Sequence, residues 1–144
     1  MHTYSAFWIR EEFHHHYFYR SDILYRFLHE YLRSDKRSNE WNDQYNYVTQ
    51  FIPYSELLSH INNFHQRRIN ISISEESIEL SKDDSFAIIY MAERCFTIKC
   101  ESIEQLDSLL FQPLKTFNPS FFVIELGSTN SGWVTPIKKE ILLR

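Results

Sequence analysis

The chain has 144 residues, a formal charge of −4, and 43% hydrophobic, 24% charged and 17% aromatic residues. This composition predicts one folded domain over residues 1–144, and its scattered basic residues argue against direct nucleic-acid binding, which needs a clustered basic face. Only 2 glycines are present, which argues strongly against a phosphate-cradling loop, and no cofactor or small-molecule substrate is expected.

The sequence also argues against membrane insertion and export. No apolar run approaches the roughly 20 residues that span a bilayer, and residues 1–4 do not resemble the start of a signal peptide. Cys95 and Cys100 are five residues apart in a predicted strand, so their side chains should point to opposite faces and not form a disulfide. We therefore expect a cytoplasmic protein with no membrane partner.

Near the N-terminus, an alternating strand leads into an aromatic helix. Residues 4–9 alternate between two faces, and the chain then turns polar at residues 10–12. In a helix at about 100° per residue, Phe13 and Tyr17 share one side, while Phe18 and Tyr19 point elsewhere. A surface helix buries one apolar stripe, so some of these rings should face solvent. Exposed rings are typical of a protein-binding site.

Two further helices are predicted before residue 65. Ser21-Asp22 begins one with an apolar stripe that reaches Leu32, and a second begins at about Tyr54. Residues 33–42 are polar and predict a loop around Trp41. Residues 44–52 fit either a short helix or an extended segment that ends at Pro53.

The second half of the chain is rich in strand patterns. Residues 69–73 alternate, 77–80 can continue them as a hairpin, and 86–92 with 95–100 predict an antiparallel pair. Ser102-x-x-Gln105 is a capping box that opens a helix, which Pro113 should kink or end. Residues 121–124 are continuously apolar, as in a strand covered on both faces. The whole predicts an α+β domain with a mixed or antiparallel sheet of about 4–5 strands and about 4 helices.

Little in the sequence supports a catalytic site or a metal site. Glu11 with His15 and Glu12 with His16 are i, i+4 pairs, but consecutive histidines diverge by about 100°, so at most two of His14-His15-His16 could reach one ion. No second cluster of cysteines or histidines completes a metal shell. No nucleophile motif is present either. We expect these histidines to be solvated or to lie in an interface, and we expect no enzymatic activity and no metal site.

The glycine at Gly132 leaves two structures open. It can form a tight turn that places Trp133 against the sheet, or the segment from Trp133 to Pro136 can form a rim beside the aromatic helix. We assign Trp8, Phe18 and Trp133 to the core.

Three blocks of residues resemble one family. The first is Ile9-x-Glu11-Glu12-Phe13-x-x-His16-Tyr17-Phe18-x-Arg20, the second Gln44-x-x-Tyr47-Val48-Thr49-Gln50-x-Ile52-Pro53, and the third Gly132-Trp133-x-x-Pro136-x-Lys138. In this order they resemble SirA, the sporulation inhibitor of replication of endospore-forming bacteria. The chain departs from the family pattern at Tyr19, where a glycine is typical, and at His14-His15, which replace small or polar residues.

The resemblance implies a binding protein. SirA-like proteins bind the N-terminal domain of the replication initiator DnaA and restrain initiation when cells commit to sporulation, so inhibition would be stoichiometric. An alternative is an adaptor of the same fold that binds another cytoplasmic protein through the aromatic helix, and a further one is a small-molecule or metal sensor that uses the histidines. The resemblance implies partner contacts at Phe13, Tyr17, Gln44, Tyr47 and Pro136, with a polar contact from the neighbouring His14.

Overall fold

The computed structural model describes residues 1–34 and 38–134. The strands are β1 (His2–Trp8), β2 (Asn70–Ile73), β3 (Ser77–Lys82), β4 (Ser85–Met91), β5 (Cys95–Cys100), β6 (Phe121–Glu125) and β7 (Ser131–Trp133). The helices are α1 (Glu11–Tyr17), α2 (Ser21–Arg33), α3 (Asn39–Val48), α4 (Tyr54–Phe64), α5 (Ile103–Leu106) and α6 (Gln112–Phe117), and a π-helical turn at Asp107–Phe111 joins α5 to α6. Among the helices of these two ranges, none is long and apolar enough to cross a lipid bilayer.

One antiparallel sheet organises the protein, with the strand order β2-β3-β4-β5-β1-β6-β7. The N-terminal β1 lies between β5 and β6, so that Ala6 pairs with Phe96 on one side and with Val123 on the other. Strands from both ends of the chain therefore share one sheet, and the α+β class predicted from the sequence is confirmed.

The described residues contain seven strands and five helical segments, if α5, the π turn and α6 are counted as one, so both predicted numbers were too low. The hairpin between β2 and β3 lacks glycine; instead the Ser74 hydroxyl lies 2.7 Å from that of Ser77, and the Ser74 N–H donates to the Ser77 carbonyl. β7 has only three residues and is recognisable only by its pairing with β6. Short strands of this kind are set by long-range pairing and leave little signal in the sequence.

The additional helix is α3, which covers part of the predicted loop at 33–42. Ser38 caps it by accepting a hydrogen bond from the Trp41 N–H at 3.1 Å. The ring of Tyr45 stacks on Tyr31 of α2 with centroids 4.1 Å apart. This contact between helices stabilises a segment whose own sequence is ambiguous. After Val48 the chain becomes extended and reaches Pro53.

The sheet has a hydrophobic core on each face. The larger core includes Ala6, Phe96 and Phe121 and is covered by α4 and by the helical run from α5 to α6. The smaller core includes Phe7 and Phe122, against which residues of α2 and α3 pack. All four residues 121–124 are buried, which confirms that this strand is covered on both faces.

The two cores can be compared with the predicted positions of the two cysteines, of Trp8 and Trp133, and of Phe18. Cys95 packs against the smaller core while Cys100 lies in the larger one, so the predicted opposite orientation of the two free thiols is confirmed. Trp8 and Trp133 are half-buried against the larger and the smaller core, respectively. Phe18 is half-buried but belongs to neither core; its ring packs on His14 at 5.5 Å.

The helix that Ser102 opens continues through Pro113. The Ser102 hydroxyl accepts from the Gln105 N–H at 3.2 Å, which confirms the predicted cap. A π turn at Asp107–Phe111 precedes the proline, and the helical run ends only at Phe117. Because proline cannot donate a backbone hydrogen bond, a local widening of the helix is a usual way to accommodate it. Of the two predicted outcomes at Pro113, a kink or an end of the helix, the end does not occur.

Candidate functional site

The aromatic helix α1 is held in place by the end of β1 and by the chain that follows α3. Ile9 forms an isolated bridge with Thr49, and the Arg10 N–H donates to the Val48 carbonyl at 2.9 Å. The Gln50 side chain also donates to the Ile9 carbonyl at 3.2 Å. These bonds bring the start of α1 to the C-terminal end of α3, although about forty residues separate them in the sequence.

The helix itself is short, and its two aromatic residues, Phe13 and Tyr17, are half-buried against the smaller core. It has seven residues, none of them buried. Glu11 and Glu12 occupy its first turn and three histidines its last, which is the favourable direction for a helix dipole. Because a helix of this length contributes little stability of its own, its position depends on the contacts made by its side chains.

Phe13, Tyr17 and Tyr47 form one group, which we call the aromatic cluster. Phe13 and Tyr17 stack along α1 with centroids 6.3 Å apart, and Phe13 meets Tyr47 of α3 edge to face at 5.2 Å. Tyr47 is 62% exposed, and the two rings of α1 are half-buried. The structure thus joins two predicted contact blocks that lie far apart in the sequence.

Of the two further predicted contact residues, Gln44 and Pro136, the structure describes only Gln44. Gln44 is exposed on α3 and lies three residues before Tyr47, one helical turn away. Pro136 lies outside the described residues. Gly132 does not form a tight turn; it lies in β7 and pairs with Val123.

His14 points away from the aromatic cluster, towards the sheet. Its Nδ1 is 2.9 Å from the Ser120 hydroxyl, and its ring lies 4.2 Å from the centroid of Trp133. Trp133 in turn packs edge to face on Phe122 at 5.0 Å. Burial lowers the pKa of His14; neighbouring His15 lowers it further, and Glu11 opposes the shift. The His14 ring therefore fastens α1 to β6 and β7.

The other two histidines of α1 are exposed. His15 Nε2 lies 3.7 Å from Glu11 Oε1, and the ring of His16 contacts Tyr17 at 4.7 Å. Over residues 1–34 and 38–134, the structure brings together no group of three or more histidine, cysteine or acidic side chains that could hold a metal ion.

One side-chain contact was not predicted from the sequence, that of the exposed Phe51 with the half-buried Arg94. Phe51 is 61% exposed, and the guanidinium carbon of Arg94 lies 4.2 Å from the centroid of its ring. Arg94 lies in the turn between β4 and β5, a position that gives no sequence signal of contact with residue 51. The signal for Phe51 in the sequence is weak, an aromatic residue between Thr49-Gln50 and Ile52-Pro53.

Comparisons with known proteins agree with the sequence blocks. The family model described as "Sporulation inhibitor of replication protein SirA" matches residues 2–138. A curated relative with that same description, from Bacillus subtilis (strain 168), is 26% identical over 143 residues, which cover 94% of this chain and 95% of the relative. The similarity therefore extends over nearly the whole length of both proteins.

Proposed function

This chain belongs to the SirA family of sporulation inhibitors of replication, and we propose that it binds the N-terminal domain of the initiator DnaA and so restrains the initiation of replication during sporulation. The observation that carries this proposal is the aromatic cluster: three rings from two elements packed on one another, of which Tyr47 is exposed while Phe13 and Tyr17 are half-buried against the smaller core. Such a role requires no catalytic step, and it requires the chain to act in the cytoplasm.

The cluster has the properties of an interface hot spot. Phe13 and Tyr17 project together from α1, and the ring of Tyr47 packs on Phe13 from α3. Rings that are already packed lose little conformational freedom on binding, and aromatic anchors dominate the affinity of many interfaces. We infer that Phe13 and Tyr17 insert into the partner as paired anchors and that Tyr47 extends the same surface.

The remaining predicted residues have supporting roles in this proposal. Gln44 would donate or accept hydrogen bonds at the rim, one turn from Tyr47, and Pro136 would add a rigid apolar edge. His14 uses Nδ1 for Ser120, so a direct contact with the partner would come from its Nε2. Its packing on Trp133 also fixes the orientation in which α1 presents its rings.

Occupancy explains how such a surface inhibits. A small domain of the initiator that is covered by this protein cannot make the self-association or docking contacts that use the same face. Inhibition should therefore be stoichiometric and should saturate at one inhibitor per DnaA domain.

The test is a calorimetric titration of the purified chain against the isolated N-terminal domain of DnaA from the same organism. We expect saturable 1:1 binding, which Phe13→Ala and Tyr17→Ala each weaken by about 2 kcal/mol or more, roughly 30-fold in Kd. Phe86→Ala is the matched control, because Phe86 is 41% exposed near the start of β4, at the end of that strand away from Arg94.

Two results would overturn the proposal. One is the absence of saturable binding by the wild-type chain. The other is binding by Phe13→Ala and Tyr17→Ala with the affinity of the Phe86→Ala control while circular dichroism shows all three variants folded.

A further inference from the structure

The segment that links α3 to α4 holds Phe51 out to solvent on a fixed backbone. The Gln50 N–H donates to the Trp8 carbonyl at 2.9 Å, and the Ile52 N–H donates to the Glu93 carbonyl at 2.8 Å. Phe51 lies between these two anchored residues and is 61% exposed. A large ring held out on an anchored segment costs solvation free energy that a partner could recover.

Arg94 is fixed against the same ring. Its Nη1 donates to the Asn46 carbonyl at 3.0 Å and to the Thr49 carbonyl at 2.8 Å, at the C-terminal end of α3. A cation is favourable there because the last carbonyls of a helix carry partial negative charge. The guanidinium carbon lies 4.2 Å from the Phe51 ring centroid, within the range of a cation–π contact. The arginine is therefore ordered before any partner arrives.

This pair is connected to the aromatic cluster through the backbone of α3. Asn46, which accepts a bond from Arg94, directly precedes Tyr47 in α3, and Thr49 lies two residues after Tyr47. The C-terminal end of α3 thus carries Tyr47 of the cluster and also supplies backbone carbonyls that hold Arg94 against Phe51. Arginine and aromatic residues are the types enriched among interface hot spots.

Resting on the proposed function, we propose that Phe51 and Arg94 extend the DnaA-binding surface beyond the aromatic cluster. The partner face should combine an apolar recess for the Phe51 ring with a carboxylate opposite the guanidinium. In the described parts of the chain, the hydrogen bonds of Arg94 all come from Nη1, and no carboxylate forms an ion pair with it. The donors on Nε and Nη2 can therefore serve a partner carboxylate in a charge-assisted bond.

The experiment measures DnaA-domain binding by the full chain and by Phe51→Ala, Tyr47→Ala and the control Phe86→Ala. We expect Phe51→Ala to weaken binding by about tenfold while its thermal midpoint stays at the wild-type value, because the ring is mostly exposed. Arg94→Gln is measured at low and high salt. The wild type should lose affinity as salt rises, and Arg94→Gln should lose less, since it lacks the charge that salt screens.

The outcomes separate this inference from the proposed function. If the wild type binds and Tyr47→Ala weakens binding, but Phe51→Ala binds like Phe86→Ala, the extension is wrong and the aromatic cluster stands as the site. If the wild type does not bind, both proposals are overturned. If Arg94→Gln is unstable, the Phe51→Ala comparison decides alone.

Discussion

The contact between His65 and the π turn gives a stability prediction that can be worked out from geometry. In a regular helix the Leu109 carbonyl would accept from residue 113, but Pro113 has no N–H. His65 is 5% exposed, and its Nε2 lies 3.0 Å from that carbonyl oxygen. A carbonyl only accepts, so Nε2 carries the proton, and Nδ1 accepts from Lys82 Nζ at 3.2 Å. His65 thus supplies the hydrogen bond that the proline withholds.

The magnitude follows from what each substitution leaves behind. His65→Ala leaves a buried carbonyl without its donor, which costs about 1–3 kcal/mol, and the lost ring packing brings the expected total to about 2–4 kcal/mol. His65→Gln can place an amide N–H near the position of Nε2, so we expect its cost in stability to be smaller than that of His65→Ala by about 1 kcal/mol or more. In a Pro113→Ala background, residue 113 regains an N–H, and the cost of His65→Ala should fall by about 1 kcal/mol.

The assay is urea denaturation followed by far-ultraviolet circular dichroism, with all four members of the His65→Ala and Pro113→Ala cycle and with His65→Gln. The midpoints are compared at constant m value, so that the differences report stability. Equal losses from alanine and glutamine at residue 65, or a His65→Ala cost that is unchanged by Pro113→Ala, would refute this account of the π turn.

Three further predictions concern α1, α5 and the smaller core. Folding lowers the pKa of His14 from about 6.5, so the stability that neutral His14 contributes is complete above that pH and is lost as the pH falls towards the pKa in the folded state. The free energy of unfolding, measured by denaturation at pH 7.5 and 5.5, should therefore fall more for wild type than for His14→Asn. This variant keeps an amide near Ser120 and does not titrate. Ser102→Ala should cost about 1 kcal/mol and Ser102→Asp almost none, and equal losses in thermal unfolding would contradict the cap. Phe122→Ala should cost about 3–5 kcal/mol in chemical denaturation, and a loss below about 1 kcal/mol would contradict its packing in the core.

Much of the fold could be predicted because its signals are local. Alternation over residues 4–9 and continuous apolarity over 121–124 predict strands, since side chains on a strand point to opposite faces with period two. The cap at Ser102 is a local signal as well, because it depends on residues three positions apart. The ring excess over residues 13–19 predicted that some aromatic rings face solvent, and Tyr19, which follows α1, is 71% exposed. In each case neighbours along the chain carry the information.

What could not be predicted depends on contacts between distant residues. The ambiguous segment around Tyr45 becomes a helix where its ring stacks on Tyr31, and β7 exists only because it pairs with β6. The helix that was predicted to kink or end at Pro113 continues to Phe117, and His65, more than forty residues earlier, donates a hydrogen bond to the Leu109 carbonyl in that helix.

The candidate site also has features that the local sequence predicts and features that depend on contacts between distant residues. The sequence by itself determined that Phe13 and Tyr17 share one side of a helix, and the family resemblance implied that both contact a partner. Only the tertiary structure set Phe13 against Tyr47, turned His14 to the sheet, and stacked Arg94 on Phe51. The reason is physical: helix and strand periodicity fix which side of an element a residue occupies, whereas the packing of elements onto one sheet decides which of those sides meet.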